Sequence, residues 1–492
     1  MEEAGMRRRL CSHYLLGRCT FGSRCRFSHE KPHSTFTRAW QEARGHPTAA
    51  HGLNGTHGHA GTLHDGTANG GRVRDACVHR WQDTDRNSLR PRGHLRIMSY
   101  NVLGRSLAYA HRYLYRCVPD EYLEWSHRWG CILRELDTVR PDVVCMQEVE
   151  VPVLAQIQAD MAARGYEGRY SKRADPREDG CGTFWRRDAL KLIDQRAISF
   201  QALDLRENTA LVLAFETRDS WGGASGHLRD PERRVLVGNT HVLFNPRSGC
   251  TKVAQVRVLM NAVAAMRERL GGCPACVCGD FNAAPGSPIY QFSRDGELRC
   301  AAYDRRRMSG QLEGAAWGWP RGLGKILREE SDAGVFKAEG GGVISLSAAS
   351  GNAASTCEQG REERTSSDSG TWADEQIDRA CGSPEEEADL LGAGGVGRGV
   401  ARHALAGALA STYAAVLGRE PKYTSCHSQF FGALDYMWFT KAGAGAAGLT
   451  PLRVLLPPPP ESLEVGLPDA NWGSDHCSIA ADFAIAGARG RL

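Results

Sequence analysis

Short apolar runs that end in a polar residue recur through much of this chain, and they predict most of its regular elements. Leu95-Arg96-Ile97-Met98-Ser99-Tyr100-Asn101 alternates with a period of two and predicts a strand ending at Asn101. Tyr122 to Arg140 follows the helical period, with Trp125, Trp129, Ile132, Leu133 and Leu136 on one face, and Pro141 stops it. Asp142-Val143-Val144-Cys145-Met146-Gln147-Glu148-Val149 predicts a buried strand that delivers Glu148. Further strands are expected at 180–185, at 211–215 just after Asn208, at 235–241 ending in His241, and at 434–439. A helix is expected from Lys252 to Leu270, and a last strand after Ser474-Asp475-His476. The most informative strand is Ala275 to Cys278, which runs into Gly279-Asp280-Phe281-Asn282. An apolar strand that carries an acid and an amide to its carboxyl end is where α/β proteins place chemistry. This pattern makes the fold class α/β.

The pattern fails in two stretches. Residues 31–92 are rich in Gly, His, Thr and Arg without apolar periodicity, and are expected to be a disordered linker. Residues 320–398 are dominated by Gly, Ser, Glu and Ala, and are expected to be a disordered insertion within a catalytic domain spanning 93–488. Ahead of the linker, residues 1–29 hold six arginines against two glutamates, although the whole chain of 492 residues has a formal net charge of only +4. That module, 5–30, contains Cys11, Cys19, Cys25 and His29 with spacing C-x7-C-x5-C-x3-H. Three thiolates and an imidazole form a closed tetrahedral set for Zn²⁺, and a module this small depends on the metal to fold. The segment resembles the CCCH zinc-finger family. The resemblance implies single-stranded RNA binding, with Tyr14, Phe21 and Phe27 as the stacking aromatics.

The 17 cysteines are an odd number with no signal-like apolar segment before them, so a reducing compartment is expected, cytoplasmic or nuclear. Cys273, Cys276 and Cys278 lie in or beside one strand and are expected to be reduced core residues. No apolar run approaches the roughly 20 residues needed to cross a bilayer, so no membrane partner is expected.

Eight polar residues cluster at strand ends: Asn101, Glu148, His241, Asp280, Asn282, Asp435, Asp475 and His476. Carboxylates collect a hard divalent ion, Mg²⁺ or Mn²⁺, while histidines and amides bind phosphate. The set Tyr-Asn-Val-Leu, Gln-Glu-Val, Asn-Thr-His, Gly-Asp-Phe-Asn, Leu-Asp-Tyr and Ser-Asp-His, in this order, resembles the exonuclease/endonuclease/phosphatase superfamily. Within it the resemblance is to the branch of deadenylases, nocturnin and Angel proteins. Angel-like members are matched by Leu123 to Trp129, Asn245 to Gly249, Pro285 to Tyr290, and Gly466 to Asp469. The resemblance implies a four-layer α/β sandwich of the DNase I type.

Carried over by position, Glu148 resembles the principal ligand for one or two ions, with Asn101 and Asp475 beside it. Asp280 resembles the residue that activates water, and Asn282 the one that holds the scissile phosphate. His476 and Asp435 resemble a coupled pair donating to a phosphate oxygen, and His241 would stabilise the pentacovalent state. Phe430, in Phe430-Phe431-Gly432-Ala433-Leu434-Asp435, matches the aromatic that stacks on a terminal adenine in true deadenylases, and Pro246 matches the proline on the base's other side. The implied function is a Mg²⁺-dependent 3′-to-5′ exoribonuclease acting on poly(A) at the RNA 3′ end. Two readings stand beside it: a phosphatase opening RNA 2′,3′-cyclic phosphates, and an RNA-binding adaptor without catalysis. No leucine-rich repeats point to recruitment into a large deadenylase complex.

Overall fold

Alternation along the strands decides the layering. In chain order the strands are β1 (Trp81–Asp83), β2 (Leu95–Asn101), β3 (Val143–Glu150), β4 (Tyr166–Lys172), β5 (Asp179–Arg186), β6 (Leu190–Ser199), β7 (Thr209–Thr217), β8 (Arg234–His241) and β9 (Ala275–Asp280). They continue with β10 (Glu297–Arg299), β11 (Val400–Arg402), β12 (Leu409–Ser411), β13 (Ser425–His427), β14 (Phe430–Gly432), β15 (Asp435–Thr440), β16 (Gly448–Leu455) and β17 (Ile479–Ala486). The helices are α1 (Arg105–Ala110), α2 (Asp120–Leu123), α3 (Trp125–Val139), α4 (Val151–Ala163), α5 (Gly249–Arg269), α6 (Pro288–Asp295), α7 (Asp374–Cys381) and α8 (Thr412–Leu417). The structure, a computed structural model, describes residues 81–83, 94–218, 230–311, 374–381, 399–443, 446–463 and 466–486. The four finger ligands, the finger aromatics and most of the expected linker and insertion lie outside the described residues.

One mixed sheet of seven strands has the order β1-β16-β17-β2-β3-β5-β4, and another of six has the order β12-β15-β9-β8-β7-β6. Successive side chains on a strand point to opposite faces. In β2 and β3, Leu95, Ile97, Val143 and Cys145 point into a core shared with Leu211, Leu213, Phe215, Val235, Val237, Cys276 and Cys278 of the other sheet. The intervening Met98, Tyr100, Val144 and Met146 pack outward against Trp129, Ile132 and Leu136 of α3 and Ile157 of α4. On the second sheet Ala210, Val212, Leu236, Ala275 and Val277 pack against Val256, Leu259, Met260 and Val263 of α5. The result is helix, sheet, sheet, helix: the four-layer sandwich.

The strands missed by pattern alone are mostly at the edges. β4 and β6 close their sheets, and β6 has no buried position from Lys191 to Ala197. β16 contains Pro451, where its register with β17 shifts. Cys276 and Cys278 are buried, reduced core residues as expected, and the twelve cysteines of the described residues are all free thiols.

Two boundaries are corrected. Trp81–Asp83, inside the expected linker, forms β1 against β16. The reason is the indole of Trp81, which lies under the guanidinium groups of Arg96, 4.4 Å from its centroid, and Arg453, at 4.9 Å. These two arginines clamp the buried Asp482, Arg96 through Nε at 2.6 Å. Likewise α7 lies inside the expected insertion, where Ala380 and Cys381 join the core around α5 and Ile377 packs against it. Residues 377, 380 and 381 have helical i, i+3, i+4 spacing, a local signal that the surrounding polar composition conceals.

The sheets are tied by amides. Gln147 Nε2 of β3 donates to Asn239 Oδ1 of β8 at 2.8 Å, and Asn239 Nδ2 donates to Met146 O, Gly182 O and Thr183 Oγ1 at 3.0–3.2 Å. All of this is buried. Replacing Asn239 with alanine removes the partner of several buried groups, and each unsatisfied group costs about 1–3 kcal/mol. Asn239→Ala should therefore lower the urea midpoint with the slope unchanged; a variant as stable as the parent would remove this network as a structural tie.

Candidate active site

The second sheet brings three of the predicted residues into one line. His241 at the end of β8 pairs in register with Asp280 at the end of parallel β9. Asp280 pairs with Asp435, the first residue of antiparallel β15. Because β15 runs the other way, its start lies at the same sheet edge as the end of β9. Gly279 is required there: its φ is +145°, and a Cβ would stand 2.0 Å from Thr240 O. The chain then turns sharply through Asn282 at φ +48°, whose N–H donates to Asp280 Oδ1 at 2.8 Å.

The first sheet delivers Asn101 and Glu148 to the same edge. A bulge between Met146 and Val149 breaks the β3–β5 register, and Glu148 takes up φ +59° within it. A bulge re-aims one side chain without ending the strand. Glu148 Oε1 accepts from Asn101 Nδ2 at 3.0 Å and Oε2 from Gly104 N at 2.8 Å. The same Asn101 amide donates to Asp280 Oδ2 at 3.2 Å, so it bridges the two sheets at the site.

The Ser474-Asp475-His476 segment closes the constellation. Ser474 Oγ donates to Asn101 O at 2.7 Å. His476 Nδ1 bonds Asp435 Oδ2 at 2.8 Å, an oxygen that also accepts from Thr424 Oγ1 at 2.5 Å. His476 Nε2 then faces Asp280 Oδ2 at 3.9 Å, and His241 Nε2 lies 3.5 Å from the same oxygen. Asp475 Oδ2 accepts from the buried Tyr115 hydroxyl at 2.9 Å.

Burial and these charges set the protonation states. Burial alone would lower the His476 imidazole, but the Asp435 carboxylate, its hydrogen bond and Asp280 outweigh it and hold the ring protonated well above its usual range. Burial keeps His241 below its usual range and therefore neutral. Burial pushes the Asp280 carboxyl up, with His241 opposing and Asp435 reinforcing the rise. Glu148 is pushed up to about 7, first by burial and then by Asp475, against the pull of the Gly104 N–H and the Asn101 amide.

This arrangement fits a hard divalent cation beside Glu148. Asp475 Oδ1 is buried without a hydrogen-bond partner, and the half-buried Glu148 is pushed up by burial and then by the neighbouring Asp475 carboxylate. Oxygen donors of this kind suit Mg²⁺ or Mn²⁺. The tightest grouping of carboxylate and histidine donors among the described residues is a different one, Asp280, Asp435 and His476, within 4.8 Å of one another. There the histidine is protonated and its Nδ1 is engaged by Asp435, so the trio is better suited to moving a proton than to ligating an ion.

Phe430 and Phe431 part company. Phe431 stacks on Tyr423 at 4.6 Å in a small core, whereas Phe430 is half-buried on β14, its ring 6.1 Å from that of His427. Phe430 is thus not an ordinary core residue. Pro246 is also half-buried, and its carbonyl accepts from Ser309 Oγ at 3.3 Å.

Sequence reasoning missed the supports. Buried Arg128 donates to Leu123 O, Val102 O, Leu103 O and Gly473 O at 2.9–3.1 Å, joining the loop after Asn101 to the loop before Ser474. Buried Lys252 donates to Asn282 O at 2.7 Å, Phe244 O at 3.2 Å and Gln311 Oε1 at 2.7 Å, and burial lowers its amine to about 7. Gln255 ties Leu243 N to Leu205 O, at 2.9 and 2.6 Å. An apolar-face reading of α3 and α5 has no place for these residues; only a polar side chain at a core position of each helix hinted at them.

Comparison with known proteins bears on the family and the fold. Residues 98–476 match the model of the endonuclease/exonuclease/phosphatase family, and residues 9–30 match that of the CCCH-type zinc finger. The chain is 31% identical over 399 residues to carbon catabolite repressor protein 4 homolog 3 of Arabidopsis thaliana, covering 79% of this chain and 75% of that one. It is 31% identical over 242 residues to protein angel homolog 2 of Homo sapiens, covering 46% and 43%. The fold is shared with a crystal structure of ANGEL2, a 2′,3′-cyclic phosphatase, in complex with adenosine-2′,3′-vanadate, at a TM-score of 0.57, 24% identity, and coverage of 82% and 97%. With a CCCH zinc finger ahead of a four-layer catalytic sandwich whose sheet edges converge on Glu148, Asp280 and His476, this chain belongs to the endonuclease/exonuclease/phosphatase family.

Proposed function

We propose that the chain is a divalent-metal-dependent phosphodiesterase acting at the 3′ end of RNA, and that it removes poly(A) in the 3′-to-5′ direction. The observation that carries the reading is the convergence on Asp280 Oδ2 of Asn101 Nδ2, His241 Nε2 and His476 Nε2, at 3.2, 3.5 and 3.9 Å. A carboxylate surrounded by three donors is poised to take a proton from water and to pass it on.

In this reading Glu148 holds the ion, with Asn101 and Asp475 beside it. Bound there, one or two Mg²⁺ or Mn²⁺ ions supply Lewis-acid stabilisation of charge on the phosphoryl oxygens. Asp280 orients and deprotonates the attacking water. His476, kept protonated by Asp435, donates to a phosphoryl oxygen, and neutral His241 donates as the pentacovalent state forms. Asn282 Nδ2 spends one proton on Val242 O at 3.0 Å and keeps the other for phosphate. The half-buried ring of Phe430 supports a stacked terminal base, with Pro246 as the opposite wall. A second reading, opening of 2′,3′-cyclic phosphates, is supported by the Angel-like stretches and by the fold shared with ANGEL2. The CCCH finger, through Tyr14, Phe21 and Phe27, serves as an RNA tether.

Glu148→Gln should reduce Mg²⁺-dependent hydrolysis by more than about a hundredfold and abolish the rise in melting temperature on adding Mg²⁺. Full activity of this variant at millimolar Mg²⁺ contradicts the metal assignment.

Phe430→Ala should lose roughly tenfold to a hundredfold in kcat/KM on oligo(A), equivalent to about 1–3 kcal/mol of stacking, and change cyclic-phosphate opening only a few-fold. Asp280→Asn is the control that silences both reactions. Unaltered oligo(A) trimming by Phe430→Ala makes the cyclic phosphatase the better reading.

Deleting residues 1–30 should raise KM on long RNA and flatten its salt dependence with kcat nearly constant. A collapse of kcat on short oligonucleotides would instead make the finger part of the active site.

A further inference from the structure

Residues 105–116 read Arg-Ser-Leu-Ala-Tyr-Ala-His-Arg-Tyr-Leu-Tyr-Arg: three arginines, four rings and no acid. They form α1 and the short 3₁₀ turn Arg112–Tyr115, between the Asn101 strand end and α2. The rings divide by burial. Tyr115 is 2% exposed and donates to Asp475. Tyr109 and Tyr113, four residues apart, are 44% and 49% exposed. They are among the few large apolar side chains left open on the described surface. The Tyr109 hydroxyl is held by Glu124 at 2.6 Å, so its ring is open to solvent but fixed. The His111 ring meets that of Tyr113 edge-on at 5.9 Å.

This segment is fastened to the turn that presents Phe430. Ser428 N donates to Leu114 O at 3.0 Å, and Ser428 Oγ to Tyr113 O at 3.5 Å. The His427 ring lies 6.4 Å from Tyr115 and 6.1 Å from Phe430. Rings therefore run without a break from Asp475 through Tyr115 and His427 to Phe430, and the backbone that carries them continues outward to Tyr113 and Tyr109. Arg112 is committed to Asp120 and to the carbonyls of Tyr115 and Val118, so the rings carry the inference: open aromatic faces continuous with a phosphodiesterase centre suit one ligand class. Single-stranded nucleic acid offers stacking faces and phosphates together, while a duplex hides its faces.

We propose that segment 109–115 is an RNA shelf on which Tyr113, backed by His111, stacks the base of a nucleotide upstream of the reacting 3′-terminal one. The shelf rests on the reading of the site as an RNA 3′-end enzyme. It adds that affinity grows with length beyond the terminal nucleotide, independently of the base, because any base offers a face.

The test uses the full chain carrying Asp280→Asn, in Mg²⁺, with 5′-labelled single-stranded oligo(A) of two and of six nucleotides, and reads Kd by fluorescence anisotropy. The parent should bind the six-nucleotide RNA more tightly than the two-nucleotide one. Adding Tyr113→Ala should weaken the longer RNA roughly tenfold and the shorter less than twofold, and Tyr113→Phe should restore the parent value. Both proteins keep the finger, so its contribution cancels. An unchanged Kd for the longer RNA overturns the shelf. So does equal weakening of both lengths, with or without a lower melting temperature, because that marks a structural role for Tyr113. If the parent shows the length gain and its loss in Tyr113→Ala, but the chain without Asp280→Asn hydrolyses neither oligo(A) nor a cyclic-phosphate end, the functional reading fails and the shelf stands. Absence of RNA binding at both lengths overturns both.

Discussion

The hydrogen bond between Gln147 Nε2 and Asn239 Oδ1 crosses the dry space between the two sheets. It lies one residue from Glu148 and two from His241. Hydrophobic packing alone would let two sheets slide across one another at small cost, since apolar contacts have no direction. A buried amide pair does not allow that, because a slip strands its donors and acceptors in a medium that cannot replace them. The site needs this restraint: Asn101 reaches both Glu148, on its own sheet, and Asp280, on the other. Its two bonds exist only if the strand ends stay in register.

The edge itself stores unfavourable terms. Glu148 and Asn282 both occupy the left-handed region, and the carboxyl groups of Glu148 and Asp280 are each pushed up by burial. What holds them is a ring of committed donors. Arg128 fastens two loops through four carbonyl oxygens, and Lys252 fixes the Asn282 turn and the Phe244 loop through three acceptors. Arg128 feels Asp475 and Glu148 through space and Lys252 feels Asp280, but the hydrogen bonds of both go to carbonyl and amide oxygens and none to a carboxylate. The negative charge beside Glu148 is therefore left for a cation to satisfy, which is the electrostatic state expected of a metal-dependent phosphodiesterase.

The same economy links the site to its surroundings. Tyr115 satisfies Asp475 Oδ2 with its hydroxyl and meets His427 with its ring, so one side chain connects the Asp475 carboxylate to the turn that carries Phe430. Trp81 does comparable work far from the site, pinning β1 to the sheet through two arginines that share Asp482.

The sequence by itself determined the α/β class, the central strands and which polar residues stand at their ends. Each of those is a local property: β3, β8 and β9 read as nearly continuous apolar runs because both faces of a central strand are buried. A polar residue at the end of such a run stands out against it. Edge strands β4 and β6 and the half-exposed helix α7 carried weaker local signals, since much of their surface is polar, and only packing revealed them. The bulge that turns Glu148, the closeness of Asp280 to two histidines, and the separation of Phe430 from Phe431 were decided by tertiary structure alone. Each depends on register between segments distant in the chain, as with Asp435 and Asp280 at paired positions of β15 and β9. No window of sequence contains both partners of such a contact, so the physics that joins them can act only once the sheets have formed.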